Sequence, residues 1–468
     1  MSPIHAKSEN TINIILTTER IVRDPIECKG YQQLQVIDLF LDTLVKKDPN
    51  LGLVGSISNK WSVNQEQTEY TFEIDPKAKF HNGEKVTSSD IKFSLERHIK
   101  ENSGSTIGIY LKNVVSTINT KDANSLTISL KGPYPPFLDL ISSPGYGIIS
   151  SKSADKEIIG SGPYKFANQD NNCLLKNENY SFGSSNIEKY CFRIERDIEE
   201  TISALNNKNI DLAMGSSLDV ATSPKLKTEL VASPTFSLVT TNIFLNQNVR
   251  LLQSAENREK IKTIINEIKA DKNILTKFDS SLNTYLPKGI MQETYYNRQS
   301  TTTTETDIKF SHSTPLRIVF PFGIFLEESV IKIVKKFEEK GFSVTYKNVK
   351  GDALLKPLLE GDFDLFFVPY QGLISDADGY LETLNPEGIL KAAKIPATPF
   401  LENLSRSRFT KSKKERLDKY EELFKDFEKN NYIIPFSQNS IPIVHSQNIK
   451  LPDLNYSYHL NLREISLK

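Results

Sequence analysis

The sequence predicts an α/β protein divided into two lobes, and three observations lead there. The chain has 468 residues, more than one hydrophobic core supports at roughly 100–200 residues per domain. A helix–turn–strand unit occurs twice, at Glu199–Gly215 and Asp352–Tyr370, about 150 residues apart. The strands of these units, Ile210–Met214 and Phe363–Val368, are nearly continuous apolar runs, which suit sheets covered on both faces.

The elements follow in order. Thr11–Thr17 reads as a buried strand, and Leu34, Ile37, Leu41 and Leu44 mark an amphipathic helix. Trp61–Ile74 reads as two strands around a polar turn. Phe80-His81-Asn82-Gly83 is a tight turn in which Gly83 supplies positive φ and His81 is structural. Thr87 and Asp90 form a capping box for a helix that buries Ile91, Leu95 and Ile99. Ser125–Leu130 alternates as a strand. Pro133, Pro135 and Pro136 break the chain, and Gly160–Tyr164 opens another strand.

In the first repeated unit, Ile202 and Leu205 belong to a short helix. In the second, Leu354, Leu355, Leu358 and Leu359 do, and Gly361 turns the chain. Between the units, Glu256–Ala270 places Ile261, Ile264, Ile265 and Ile268 on one helical face. Arg298–Thr314 is polar and Thr-rich, a linker. Leu326–Lys340 is a helix with Val330, Ile333, Val334 and Phe337 inward, and Gly341 ends it before a strand at Ser343–Tyr346. Leu417, Tyr420, Phe424 and Phe427 mark a last long helix, and Ile433–Val444 returns as strand.

Composition excludes several classes. With 58 basic and 58 acidic residues, the surface has no overall attraction for nucleic acid or anionic lipid. No stretch approaches the ~20 apolar residues of a membrane span, and Met1–Asn10 has no apolar signal core, which leaves a cytosolic protein or one whose signal peptide has been removed. Three cysteines exclude a disulfide scaffold. Cys173 and Cys191 read as buried thiols, with a bond between them the alternative under oxidising conditions. The six histidines are scattered without an H-x-x-x-H pair. No P-loop, G-x-G-x-x-G or G-x-S-x-G occurs. Asp376-Ala377-Asp378-Gly379 with Glu387 departs from a calcium loop, because Leu381 stands at the required glycine. No cofactor, no metal and no catalytic residue is expected.

Several ordered motifs carry a resemblance. They are Leu51–Val54, Lys60–Val63, Tyr70–Ile74, Lys79–Gly83, Val86–Ile91, Phe93–Leu95, Gly160–Tyr164, Asn177–Tyr180, Phe244–Asn246, Gly361–Leu365 and Pro435–Ser437. In this order they resemble the oligopeptide/dipeptide/nickel class of periplasmic solute-binding proteins (family 5) of ABC importers. The resemblance implies a two-lobe periplasmic-binding-protein fold of class II type with an extra subdomain. Lobe I would comprise 1–45, 155–238 and 436–468, the subdomain 46–154, and lobe II 239–435. Hinge segments would lie near Thr240 and Pro435. The implied function is a non-enzymatic receptor that captures a small molecule or peptide for an ABC permease. It would be a monomer, periplasmic or on the cell surface, with its signal peptide removed. A sensory or regulatory protein of the same fold, independent of transport, is the alternative.

Ligands of open α/β sheets bind beyond the carboxyl ends of strands, which directs Gly215–Ser217 and Pro369–Gly372 at a shared cleft. The resemblance implies one wall at Lys29, Gly30, Tyr31 and Gln32, a contribution from Asn246 and Gln247, and an opposite wall at Tyr370, Gln371, Gly372, Leu373 and Asp376. Tyr31 and Tyr370 either stack on ligand or pack. Asn246 either contacts ligand or satisfies backbone. Where peptide-binding relatives carry an Asp for the peptide ammonium, this chain has Leu373. A buried ammonium without a carboxylate pays a heavy desolvation cost, so free peptide N-termini are not expected to be held in the usual way. Asp376 or Asp378 could replace that Asp only with a slip in register.

Overall fold

In the computed structural model, residues 10–468 are described except 29, 49–51, 101–105, 154–156, 168–169, 184, 215–217, 235–238, 292, 297–314, 350–352, 354, 373, 375, 384–389, 391–392, 397, 441 and 453–459. Three larger sheets organise them. A seven-stranded sheet has the order Leu230–Ser233, Ile443–Ser446, Leu212–Ala213, Thr11–Leu16, Lys189–Ile194, Asp170–Lys176, Tyr164–Ala167. A six-stranded sheet has the order Asp279–Ser281, Ile433–Asn439, Val239–Leu245, Leu365–Tyr370, Leu316–Pro321, Val344–Val349. A four-stranded antiparallel sheet is built from Ser58–Val63, Glu69–Ile74, Ser125–Leu130 and Val115–Asp122.

Apolar layers cover both faces of the seven- and six-stranded sheets, as the uninterrupted strands require. In the six-stranded sheet, Ile243, Leu245, Ile318, Phe320, Leu365 and Phe367 face one layer with the helices Ala255–Ala270 and Glu327–Glu339. Phe244, Val319, Phe366 and Val368 face the other, with the helices Thr398–Arg408 and Lys413–Asn430. The four-stranded sheet is not a separate core: Phe72, Leu126 and Ile128 share one cluster with Ile12, Ile14 and Leu16.

Local signals hold at several places. Asp90 Oδ2 accepts from Thr87 N (3.0 Å) and Thr87 Oγ1 (2.6 Å) as the helix Ser88–Lys100 begins. Gly83 has φ +85°. The first helix, Tyr31–Phe40, is shorter than Leu34–Leu44 suggested, because the chain becomes extended at Leu41. The linker and Leu354 lie outside the described residues.

The chain passes between the two large sheets twice, and the strands on either side of the crossings are paired within each sheet. Leu230–Ser233 pairs antiparallel with Ile443–Ser446 in the first sheet, and Val239–Leu245 with Ile433–Asn439 in the second. The strand Ile433–Asn439 stays in the second sheet to its end. The return crossing therefore follows Asn439, and Pro435 sits inside a paired strand.

Cys173 and Cys191 are bonded, against the reading of two buried thiols. The reason is register: the two are direct partners on antiparallel strands, with Cα atoms 4.1 Å apart, the close spacing of a non-hydrogen-bonded pair. The intact protein is expected to be lighter than its reduced form by two hydrogen atoms, and reduction to cost about 3 kcal/mol for a loop of this length. Cys28 is buried, and burial with nearby Asp24 and Glu27 pushes its thiol up. Alkylation of the native protein is expected to spare all three cysteines. Rapid labelling at Cys173 or Cys191 would contradict the bond.

Candidate functional site

The carboxyl ends of the parallel strands Thr11–Leu16 and Leu212–Ala213 form the rim of the first sheet. Gln32, in the first turn of the helix Tyr31–Phe40, ties them together. Its Oε1 accepts from Thr17 N (2.8 Å) and Thr18 N (3.0 Å), and its Nε2 donates to Thr17 Oγ1 (2.8 Å) and Met214 O (3.2 Å). A buried amide with these partners has little left for a ligand, so Gln32 positions the rim. Tyr31 is half-buried, its hydroxyl 3.5 Å from Gln32 Nε2, and burial pushes its phenol up to about 12. Gly30 precedes the helix with open space around its Cα. Lys29 and Gly215–Ser217 lie outside the described residues.

On the second sheet the corresponding rim is Tyr370, paired with Thr240 at the start of Val239–Leu245. The Tyr370 hydroxyl accepts from Asn242 Nδ2 (2.7 Å) and donates to Tyr285 O (3.0 Å), so the ring is turned into the core. Burial pushes this phenol up as well. Gln371 follows, half-buried, and Gly372 packs against the Tyr380 ring. Leu373 lies outside the described residues.

Asn246 and Gln247 are not on this rim. They follow the other end of the same strand, where Leu245 pairs with Leu365. At ~3.3 Å per residue that is roughly 20 Å from Tyr370. Asn246 donates to Gly361 O (3.1 Å) and Phe363 O (2.8 Å) and accepts from Asn248 N (3.0 Å). Gln247 donates to Leu245 O (2.8 Å). Asn246 is thus spent on backbone, and Gln247 on Leu245 O and Arg258 Nη1 (3.4 Å), so neither stands on the rim where the resemblance placed it. The direction of a strand within its sheet decides this, and the motif alone does not carry it.

Asp376 is not available either. It forms a two-point ion pair with Arg416, at 2.6 and 2.8 Å, and accepts from Asp378 N (3.0 Å). Asp378 is fully buried and accepts from Arg408 Nε at 2.9 Å on each oxygen. It also accepts from Tyr110 (2.6 Å) and Tyr134 (2.8 Å). Arg408 reaches Glu382, which accepts from Asn113 Nδ2 at 2.8 Å. Burial lowers the Arg408 guanidinium, but Asp378 and Glu382 outweigh it and hold it well above its ordinary value. Burial, reinforced by Asp378, raises the Tyr110 and Tyr134 phenols, so both stay protonated donors. Sequence reading missed this cluster. No motif links residues so far apart; the only local signal was two Asp in an otherwise apolar turn.

The chain belongs to the bacterial extracellular solute-binding proteins, family 5, whose middle region it matches over residues 53–309. It is 29% identical over 245 residues to a Brucella ovis protein named for peptide binding in an ABC transporter. That match covers 48% of this chain and 46% of the relative, so the chain spans about half the length of such curated relatives. Its fold is similar to Helicobacter pylori DppA, solved with the peptide STSA (TM-score 0.82, 18% identity, 98% of each chain). It is also similar to AgaA of A. tumefaciens R10, solved with agropinic acid (TM-score 0.78, 18% identity, 98% of this chain and 99% of that one). The fold is thus the two-lobe α/β fold of this family.

Proposed function

We propose that this protein is a solute-binding receptor that closes its two lobes over a small ligand and presents it to an ABC permease. The observation that carries this reading is that two neighbouring strand pairs, Leu230–Ser233 with Ile443–Ser446 and Val239–Leu245 with Ile433–Asn439, lead the chain out of one sheet and into the other. A two-segment hinge of this kind permits closure, and a ligand touching both rims favours the closed state by its contacts with both. The lobe division read from the sequence is kept, with the second crossing placed after Asn439. The Cys173–Cys191 bond supports an oxidising, extracytoplasmic setting.

We take the cleft wall, as the resemblance implies it, to be Lys29, Gly30, Tyr31, Gln371, Gly372 and Leu373. Leu373 brings no carboxylate, and Asp376 and Asp378 are neutralised by Arg416 and Arg408. The ligand class is therefore one without a free ammonium at this wall, such as a blocked or modified peptide. Calorimetric titration with dipeptides and their N-acetyl forms is expected to show no preference for the free amine. Tight binding lost on N-acetylation would overturn this ligand class.

A further inference from the structure

We infer that Tyr110, Tyr134 and Asp378 form a clasp that holds the lobes together without ligand, so that residues outside the cleft wall set part of the affinity. This rests on the hinge-closure reading above. The two sides of the clasp belong to different bodies. Tyr110 lies in the helix Thr106–Val114 and Tyr134 just before the helix Phe137–Ile141, both in the core shared with the first sheet. Asp378 is in the first turn of the helix Ala377–Thr383, which packs on the second sheet's core. Asn113 to Glu382 (2.8 Å) and Lys411 to the Gln65 carbonyl (2.5 Å) cross the same boundary. Phe409 closes on Gly132, where a Cβ would lie 2.9 Å from its ring.

The chemistry suits a contact that opens and closes. Asp378 keeps its Arg408 partner within its own lobe, so parting the lobes exposes no unpaired charge. What is lost at Asp378 is two phenol hydrogen bonds to a carboxylate, and water can replace them on both sides. Such bonds are stronger than neutral ones. None of them involves the cleft wall, so they raise the closed fraction from which apparent affinity is drawn.

The test is small-angle scattering on protein freed of solute by dialysis, comparing wild type with Tyr110→Phe/Tyr134→Phe and with Gly132→Trp as a wedge. The Phe pair keeps both rings and leaves Asp378 on Arg408, and circular dichroism checks its fold. Loss of the clasp is expected to lower the closed-to-open ratio roughly tenfold or more, the scale of one hydrogen bond to a charged group. The radius of gyration then rises above the ~23 Å of a compact chain of this length. An unchanged radius in the Phe pair, with a larger one in the wedge variant, would overturn the clasp and leave hinge closure standing. No change in either would mean the bodies do not separate, and both readings would fall.

Discussion

Replacing Arg408 with Met is expected to lower the stability of the protein by about 3–5 kcal/mol, the cost of removing one partner from a buried ion pair. Arg408 is 5% exposed, Asp378 0% and Glu382 3%, so both carboxylates would be left in the interior. The tyrosine and asparagine donors would remain, but no cation would. Methionine fills much of the same volume, which keeps the loss electrostatic. Adding Asp378→Asn to this variant is expected to recover part of the loss by removing one stranded charge. Urea denaturation followed by circular dichroism reads both effects. A loss within about 0.5 kcal/mol, the range of ordinary surface substitutions, would mean that water reaches the cluster.

Acid is expected to destabilise the protein between about pH 6.5 and 4, a loss that begins above the range in which paired carboxylates act. His98 is 2% exposed in the helix Ser88–Lys100, edge-on to the Tyr146 ring, and neither ring nitrogen has a hydrogen-bond partner. Burial lowers its pKa to about 4, with Asp24 opposing and Arg97 adding. Burial likewise lowers His81 to about 4, against the Gly162 carbonyl 3.0 Å from Nε2 and with Lys165 adding. The unfolded chain binds protons at these sites below pH 6.5 and the folded chain does not, so stability rises with pH across this window. It is complete above 6.5 and is lost as pH falls toward 4. At 1.36 kcal/mol per pKa unit, His98 alone withdraws roughly 3 kcal/mol. Buried carboxyls whose pKa is raised, such as Asp139 and Asp279, act in the opposite sense. The clean comparison is therefore wild type against His98→Leu, whose urea midpoint should fall less between pH 7 and pH 5. Equal slopes in the two proteins would exclude His98 as a source.

Sequence periodicity determined much of this protein by itself. Val330, Ile333, Val334 and Phe337 give the helix Glu327–Glu339 its buried face, and the apolar run before Tyr370 is a central strand. Thr87 and Asp90 cap where their spacing says. The family motifs likewise lie in order along one chain. These signals are local, because a helix turn, a strand and a cap are each decided within a few residues.

Only the tertiary structure decided which groups are free to meet a ligand. Gln32 and Asn246 have the polarity of binding residues, but strand ends and turns consume them. The sequence offers Asp376 and Asp378 as acids near the implied cleft wall, yet their arginines stand 40 and 30 residues further on. The tyrosines of the clasp stand 268 and 244 residues from Asp378. The disulfide depended on the register of two antiparallel strands. Each case has one physical reason: a buried polar or ionic group must find a partner, and which partner it finds is fixed by how distant segments pack.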